Sequence, residues 1–284
     1  MKPLIILALI VGIFGGAAYI TYDLFLKPQR QLAEEKLQPP PPPPPDPTLP
    51  DYEKCVALLK SGDVFGARTA FLEFIEDFPH STKADEAKDR LGEINIDLFL
   101  SSKPAPEKQI YVVKSGDVLT RVAARQKTTP ELIMRSNNLS GTMLQIGQKL
   151  MISPPDFAIA VNKKEKRVTL LNQNKFFKHY PIRSLPTRPP SAKPSAAAPA
   201  KATGKITDKI AWSEEGSRVT FSDKEYATAS HWIVFSISGN TLYSQPEEES
   251  DKKVTKPPTG IGMAPEHMEE LAVLLSKGNP VTIE

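Results

Sequence analysis

Four patterns of apolar and polar positions follow one another along the chain, and each predicts a different element. Residues 4–22 are apolar or small and uncharged. At 1.5 Å per residue they span about 29 Å, close to the hydrocarbon thickness of a bilayer, which predicts one transmembrane helix within residues 1–26. A cleaved signal peptide is the alternative, but its apolar core is usually shorter, about 7–15 residues. Residues 51–104 switch to helical periodicity: Val56, Leu59, Val64, Ala67, Ala70, Phe71, Phe74 and Ile75 recur at three- and four-residue spacing, interrupted by Gly62 and Pro79. Two or three short antiparallel helices are expected there. Residues 110–113 and 149–152 look like strands enclosing two helices, with Gly116 and Gly147 in the adjoining turns. Asp117 is placed to cap a helix starting near Val118, and Thr129 stands as N-cap before Pro130 and Glu131. That second helix should end around Asn137 and Asn138. Residues 157–184 alternate in three runs with turns at 162–166 and 172–174, a β-meander.

Composition adds linkers to this picture. The chain holds 28 prolines in 284 residues, and residues 39–45 are proline throughout. Proline fixes φ and lacks a backbone donor, so linker 27–50 should run as polyproline II, reaching at most about 75 Å at roughly 3.1 Å per residue. A Pro/Ala/Lys tract at 185–202 is too poor in apolar residues to order itself. The expected fold class is therefore multidomain α+β, with separate domains strung on spacers. The 36 basic and 33 acidic residues are spread along the chain, leaving a net charge of +3 and no single-sign field to attract nucleic acid. The single cysteine, Cys55, excludes an intramolecular disulfide; inside the first predicted helix it reads as a small buried hydrophobe rather than a reactive thiol. His80, His179, His231 and His267 fall on different predicted elements, so no metal and no cofactor is expected. The segment KSGDV occurs at 60–64 and again at 114–118, but its surroundings differ and it is no internal repeat.

Three stretches resemble known families. Small residues around Gly62 and Asp63, the FPHS segment and the following Ala-containing helix resemble tetratricopeptide repeats. About one and a half repeats are present, which implies a spacer or a small docking platform for an envelope protein over residues 51–104. Residues 109–153, with YVVKSGDVL, TTPELIMRSNNL and IGQKLMI, resemble the LysM family, a strand–helix–helix–strand module over 108–154. The resemblance implies binding of N-acetylglucosamine glycans, chiefly peptidoglycan or chitin. The shallow groove would be lined by Gly116, Asp117, Val118 and Leu119 on one side and by Leu144, Gln145, Ile146 and Gly147 on the other. For Leu119 and Ile146 a plain core role is the stronger expectation.

Residues 156–284 resemble L,D-transpeptidases of the YkuD type, through VNKKEKRVTL, the strand ending YPI, and the terminal pattern M-x-P-E-x-M-E-E-L-x-x-L-x-x-x-G-x-P-V-T-I. In that frame the family's S-H-G-C-I-R-M falls on residues 257–263 and its I-H-G on 242–244. The nucleophilic cysteine position is Gly260, the arginine position Gly262 and the histidine position Tyr243. Acyl transfer there needs a thiolate activated by imidazole, and neither group is present. The resemblance thus implies a mostly-β domain that keeps the fold and has lost the chemistry. The expected protein is a single-pass inner-membrane pseudoenzyme of bacteria that binds peptidoglycan strands, its C-terminal bulk facing the periplasm or cell wall. Lys27, Arg30 and Lys36 after the span, against Lys2 before it, weakly oppose that orientation. Two other readings stay open: an active L,D-transpeptidase remodelling cross-links, and an envelope scaffold working through the helical hairpin.

Overall fold

The computed structural model describes residue 12 and residues 14–30, 46–186, 201–237, 240–246 and 259–284. Residues 4–11 and 13 of the expected apolar span, the polyproline run 39–45 and most of the 185–202 tract lie outside these residues. The assignment to an inner membrane is corrected: among the described residues no helix is long and apolar enough to cross one. The helical stretch 14–30 takes in Asp23, Lys27 and Arg30, and Lys27 pairs with Asp23 at 3.1 Å. Charges at that density are costly in hydrocarbon.

Residues Pro47–Glu284 cluster as one compact unit. It opens with three helices, α1 (Leu49–Lys60), α2 (Val64–Asp77) and α3 (Ala84–Leu100). Asp63 caps α2 by accepting from the Gly66 N–H at 2.9 Å, satisfying one donor that the helix start leaves free. The apolar stripes legible in the sequence meet as a core of Tyr52, Cys55, Ala67, Phe71, Phe74 and Leu91.

The expectation of separate beads gives way at α3, which buries two faces. Ala87, Leu91, Ile94 and Leu98 close the helical core, whereas Ile96 and Phe99 belong to the core of the following sheet. Between these faces Asn95 donates through Nδ2 to the Phe177 carbonyl at 2.7 Å and accepts from Arg68 Nε at 2.7 Å. Gly92 allows the close approach: a Cβ there would lie 2.9 Å from Lys178 Cγ and 3.4 Å from its Cα. The hairpin is welded to a strand, not hung from a spacer.

Next comes a two-stranded antiparallel pair, β1 (Gln109–Val112) and β2 (Lys149–Ile152), enclosing α4 (Leu119–Arg125) and α5 (Pro130–Ser136). Thr129 accepts from the Leu132 N–H at 3.1 Å as N-cap, with Pro130 opening the helix. Asn137 ties the end of α5 to β2: its Oδ1 accepts from Met151 N–H at 2.6 Å, and its Nδ2 donates to the Met151 carbonyl at 2.9 Å. Val113, Leu119, Val122, Ile133, Leu150 and Ile152 form the core of this small module.

The remaining residues build a mixed sheet with one helix. The meander β3 (Phe157–Asn162), β4 (Arg167–Asn172) and β5 (Lys175–Ser184) pairs antiparallel as the alternation predicts. After it come β6 (Ala202–Trp212), β7 (Arg218–Val219), β8 (Ser230–Phe235), β9 (Thr241–Ser244), β10 (Ile261–Met263), α6 (Pro265–Leu274) and β11 (Pro280–Ile283). The order β11-β3-β4-β5-β10-β9-β8-β6 closes on itself because β11 also pairs with β6, and β7 flanks β6. Closure removes free edges from the ring, and the whole is mixed α+β with a barrel-like sheet. Helix α6 buries Met268, Leu271 and Leu274, and Thr129 reaches its Val273 carbonyl at 3.3 Å, joining the small module to the sheet domain.

Candidate functional site

Two loops of the βααβ module carry the residues predicted to hold a glycan. They lie side by side because Gly147 N–H donates to the Val113 carbonyl and Val113 N–H to the Gln148 carbonyl, each at 2.9 Å. Gly116 and Gly147 sit at φ +82° and +84°, a left-handed conformation strained for any residue with a Cβ. Asp117 does not cap α4, whose N-cap Val118 has no side-chain bond. The turn closed by Asp117 N–H onto the Lys114 carbonyl sends the carboxylate back to the strand end. There it accepts from Tyr111 OH at 2.6 Å and Lys114 N–H at 2.9 Å. The Tyr111 hydroxyl, then the Lys114 amide, hold its carboxyl below the usual range.

The core expectation holds for Leu119, 2% exposed, and fails for Ile146, 74% exposed. Val118 is also largely open at 48%, and Leu144 packs against the module's core from its margin. A cleft of about 540 Å³ runs along the loop before β2. Of the predicted set it takes Gln145, Ile146 and Gly147; Met143, Gln148 and the segment 138–141 complete it. Gly116, Asp117 and Val118 stand on the neighbouring turn. Met143 and 138–141 went unread because that loop has no periodicity to mark which side chains point outward. Exposed apolar side chains at Met143 and Ile146, beside backbone and amide groups, are suited to covering an acetyl methyl while pairing with polar substituents.

In the sheet domain, β9 and β10 run parallel with Gly262 opposite Tyr243. The Tyr243 hydroxyl lies 3.3 Å from Ser184 Oγ and 3.5 Å from Gln245 Oε1, and Ser184 donates to the same amide oxygen. Gln245 is fixed at both ends of its backbone, donating to the Met263 carbonyl at 2.7 Å and accepting from Arg183 at 2.7 Å. A Cβ on Gly262 would collide with Gln245 Oε1 and Ser184 Oγ, so a larger side chain there would require both to turn aside. Gly260 is buried just before β10.

The chain's one thiol lies elsewhere. Cys55 is buried in the core of α1–α3, its sulfur donating to the Asp51 carbonyl at 3.3 Å, and burial pushes its pKa up. His179 sits 2.6 Å from Asp89, His267 packs edge-on to Tyr180, and His231 donates through Nε2 to the Tyr226 carbonyl at 3.0 Å. Around Tyr243 the named groups are hydroxyls and an amide, which can hold a polar ligand but offer no thiolate.

The LysM domain family matches residues 111–153. Among solved structures the chain is similar to an L,D-transpeptidase from Mycobacterium smegmatis, at 12% identity and a TM-score of 0.30, covering 49% of this chain and 64% of that one. An L,D-transpeptidase from Enterococcus faecium gives 18% identity and a TM-score of 0.28, covering 50% and 56%. One from Stackebrandtia nassauensis gives 16% and 0.29, covering 60% and 67%. The chain thus spans about three fifths of the length of the first structures it matches. Strand order, paired loops and family match together identify residues 111–153 as a LysM domain.

Proposed function

We propose that this chain is an envelope-associated peptidoglycan-binding protein whose LysM cleft holds N-acetylglucosamine glycan, and whose L,D-transpeptidase-like domain performs no acyl transfer. The observation that carries the binding reading is the open cleft at Met143–Gln148 within the LysM domain, with Ile146 turned to solvent. Support for inertness comes from glycine at 260 and from burial of the chain's one thiol in a different core. Glycine has no side chain with which to attack, and a buried neutral thiol is a poor nucleophile.

Co-sedimentation of the full chain with purified peptidoglycan tests the binding reading. The wild type should pellet, and Ile146→Glu should weaken retention about tenfold, which corresponds to about 1.4 kcal/mol. The substitution sets a solvated charge where an apolar side chain covers the ligand, and Ile146 lies outside the module's core, so folding is spared. Equal pelleting of both proteins would move the glycan site away from this cleft.

A further inference from the structure

A second cleft, of about 340 Å³, lies where the LysM domain meets the sheet domain, within the size range of small-ligand sites, about 300–1,000 Å³. One wall is α5 and the loop after it; the other is the segment around Phe221 and Tyr226 together with α6. Residues 138–141 line both this cleft and the LysM cleft, so the two adjoin one short segment.

Its chemistry suits a neutral, hydroxyl-rich ligand. Phe221 packs against the LysM core, and Tyr226 stands on the other domain with its ring edge-on to His231 at 4.9 Å. Two of the cleft's carboxylates are paired, Glu269 with Arg135 at 3.0 Å and Glu131 with Lys209 at 3.3 Å, while Asp223 accepts from the Thr220 N–H at 2.7 Å and Lys224 also stands in the wall. Such pairs present acceptors and donors without a net field, and the aromatic faces can cover the C–H face of a sugar ring. Asp223 and Glu269 stand in the same walls as Arg135 and Lys224, so the cleft offers no cationic field to draw in a ligand bearing free carboxylates.

We propose that the glycan surface continues past the LysM cleft across residues 138–141 into this interdomain cleft, where the next saccharides of the same strand lie against Phe221 and Tyr226 and bond to the Arg135–Glu269 pair. This rests on the glycan-binding reading above. The sheet domain then serves as a second half of the binding site and favours long strands over short ones.

Calorimetric titration of the full chain with N-acetylglucosamine oligomers, from dimer to octamer, tests it. For the wild type, affinity should keep rising with length after the LysM cleft is filled. Ala227→Trp and, separately, Ser222→Trp place a bulky ring in the second cleft from exposed positions. Each should cut octamer affinity about tenfold and leave that for the short oligomers unchanged. Normal short-oligomer binding with an unaltered length dependence in both variants would overturn this extension alone, as would a wild type whose affinity is flat with length. Failure of the wild type to bind oligomers of any length would overturn the glycan reading and this extension together.

Discussion

Phe99→Ala should lower the unfolding free energy by about 3–5 kcal/mol, the usual cost of emptying a large aromatic site in a packed core. Phe99 is fully buried at the end of α3, with ring centroids 5.2 Å from Phe157 and 5.6 Å from Phe177. Phe157 and Phe177 meet each other at 5.1 Å, so the three rings form a closed triangle joining helix to sheet. Because the same helix closes the α1–α3 core, loosening this joint should destabilise both parts at once. Urea denaturation followed by far-ultraviolet circular dichroism reports chiefly on the helices; tryptophan fluorescence reports on Trp212 and Trp232, which are in contact at 5.5 Å in the sheet. Both midpoints should fall together. A loss under about 1 kcal/mol would show that the ring triangle does not hold the joint, and a helical signal that keeps its midpoint while fluorescence shifts would show that the hairpin folds independently.

Acidification should destabilise the fold between about pH 6.5 and about pH 4, with His231 as the largest identified contributor. Burial, opposed in part by the bond to the Tyr226 carbonyl, lowers its pKa from an ordinary 6.5 to about 4. The folded protein therefore keeps this imidazole neutral over a range in which the unfolded chain binds a proton. Stability rises with pH wherever the unfolded state binds more protons, so the contribution is complete above about pH 6.5 and is lost as pH falls towards 4. A shift of this size corresponds to roughly 3 kcal/mol. His179 and His267 are lowered in the same direction, again first by burial, so a single wild-type profile does not isolate His231. His231→Gln can still donate to the Tyr226 carbonyl and removes the titration. The difference between its stability–pH profile and that of the wild type should shrink by that amount across the window. Parallel profiles would show that His231 titrates normally.

Much of the LysM domain is legible in the sequence because its signals are local. The capping of α5 by Thr129, the proline that follows it and the strand β2 fall where the residues predict. Asp117 was misread because its spacing before α4 suits a cap as well as a turn; the competing Tyr111 hydroxyl and Lys114 amide come from the preceding strand and its end, and no local rule includes them. Ile146 was misread because an apolar residue in a loop carries no mark of direction. The separate-beads expectation failed on α3, where one helix carries two apolar faces and periodicity reveals only that it is apolar on several sides. Closure of the sheet was also hidden, since β10 has three residues and β11 joins strands distant in sequence. Around Tyr243 and Gly262 nothing in the sequence marks Gln245 and Ser184 as the neighbours of the glycine, because they come from a different strand and from the segment after β9.

Binding without bond exchange can be measured in one incubation. Purified sacculi, the full chain and an excess of a D-amino acid are combined, the pellet is collected, and its muropeptides are read by mass spectrometry. The account predicts that the protein sediments with the wall and that every muropeptide keeps its original mass. Muropeptides carrying the added D-amino acid at their stem ends would contradict it.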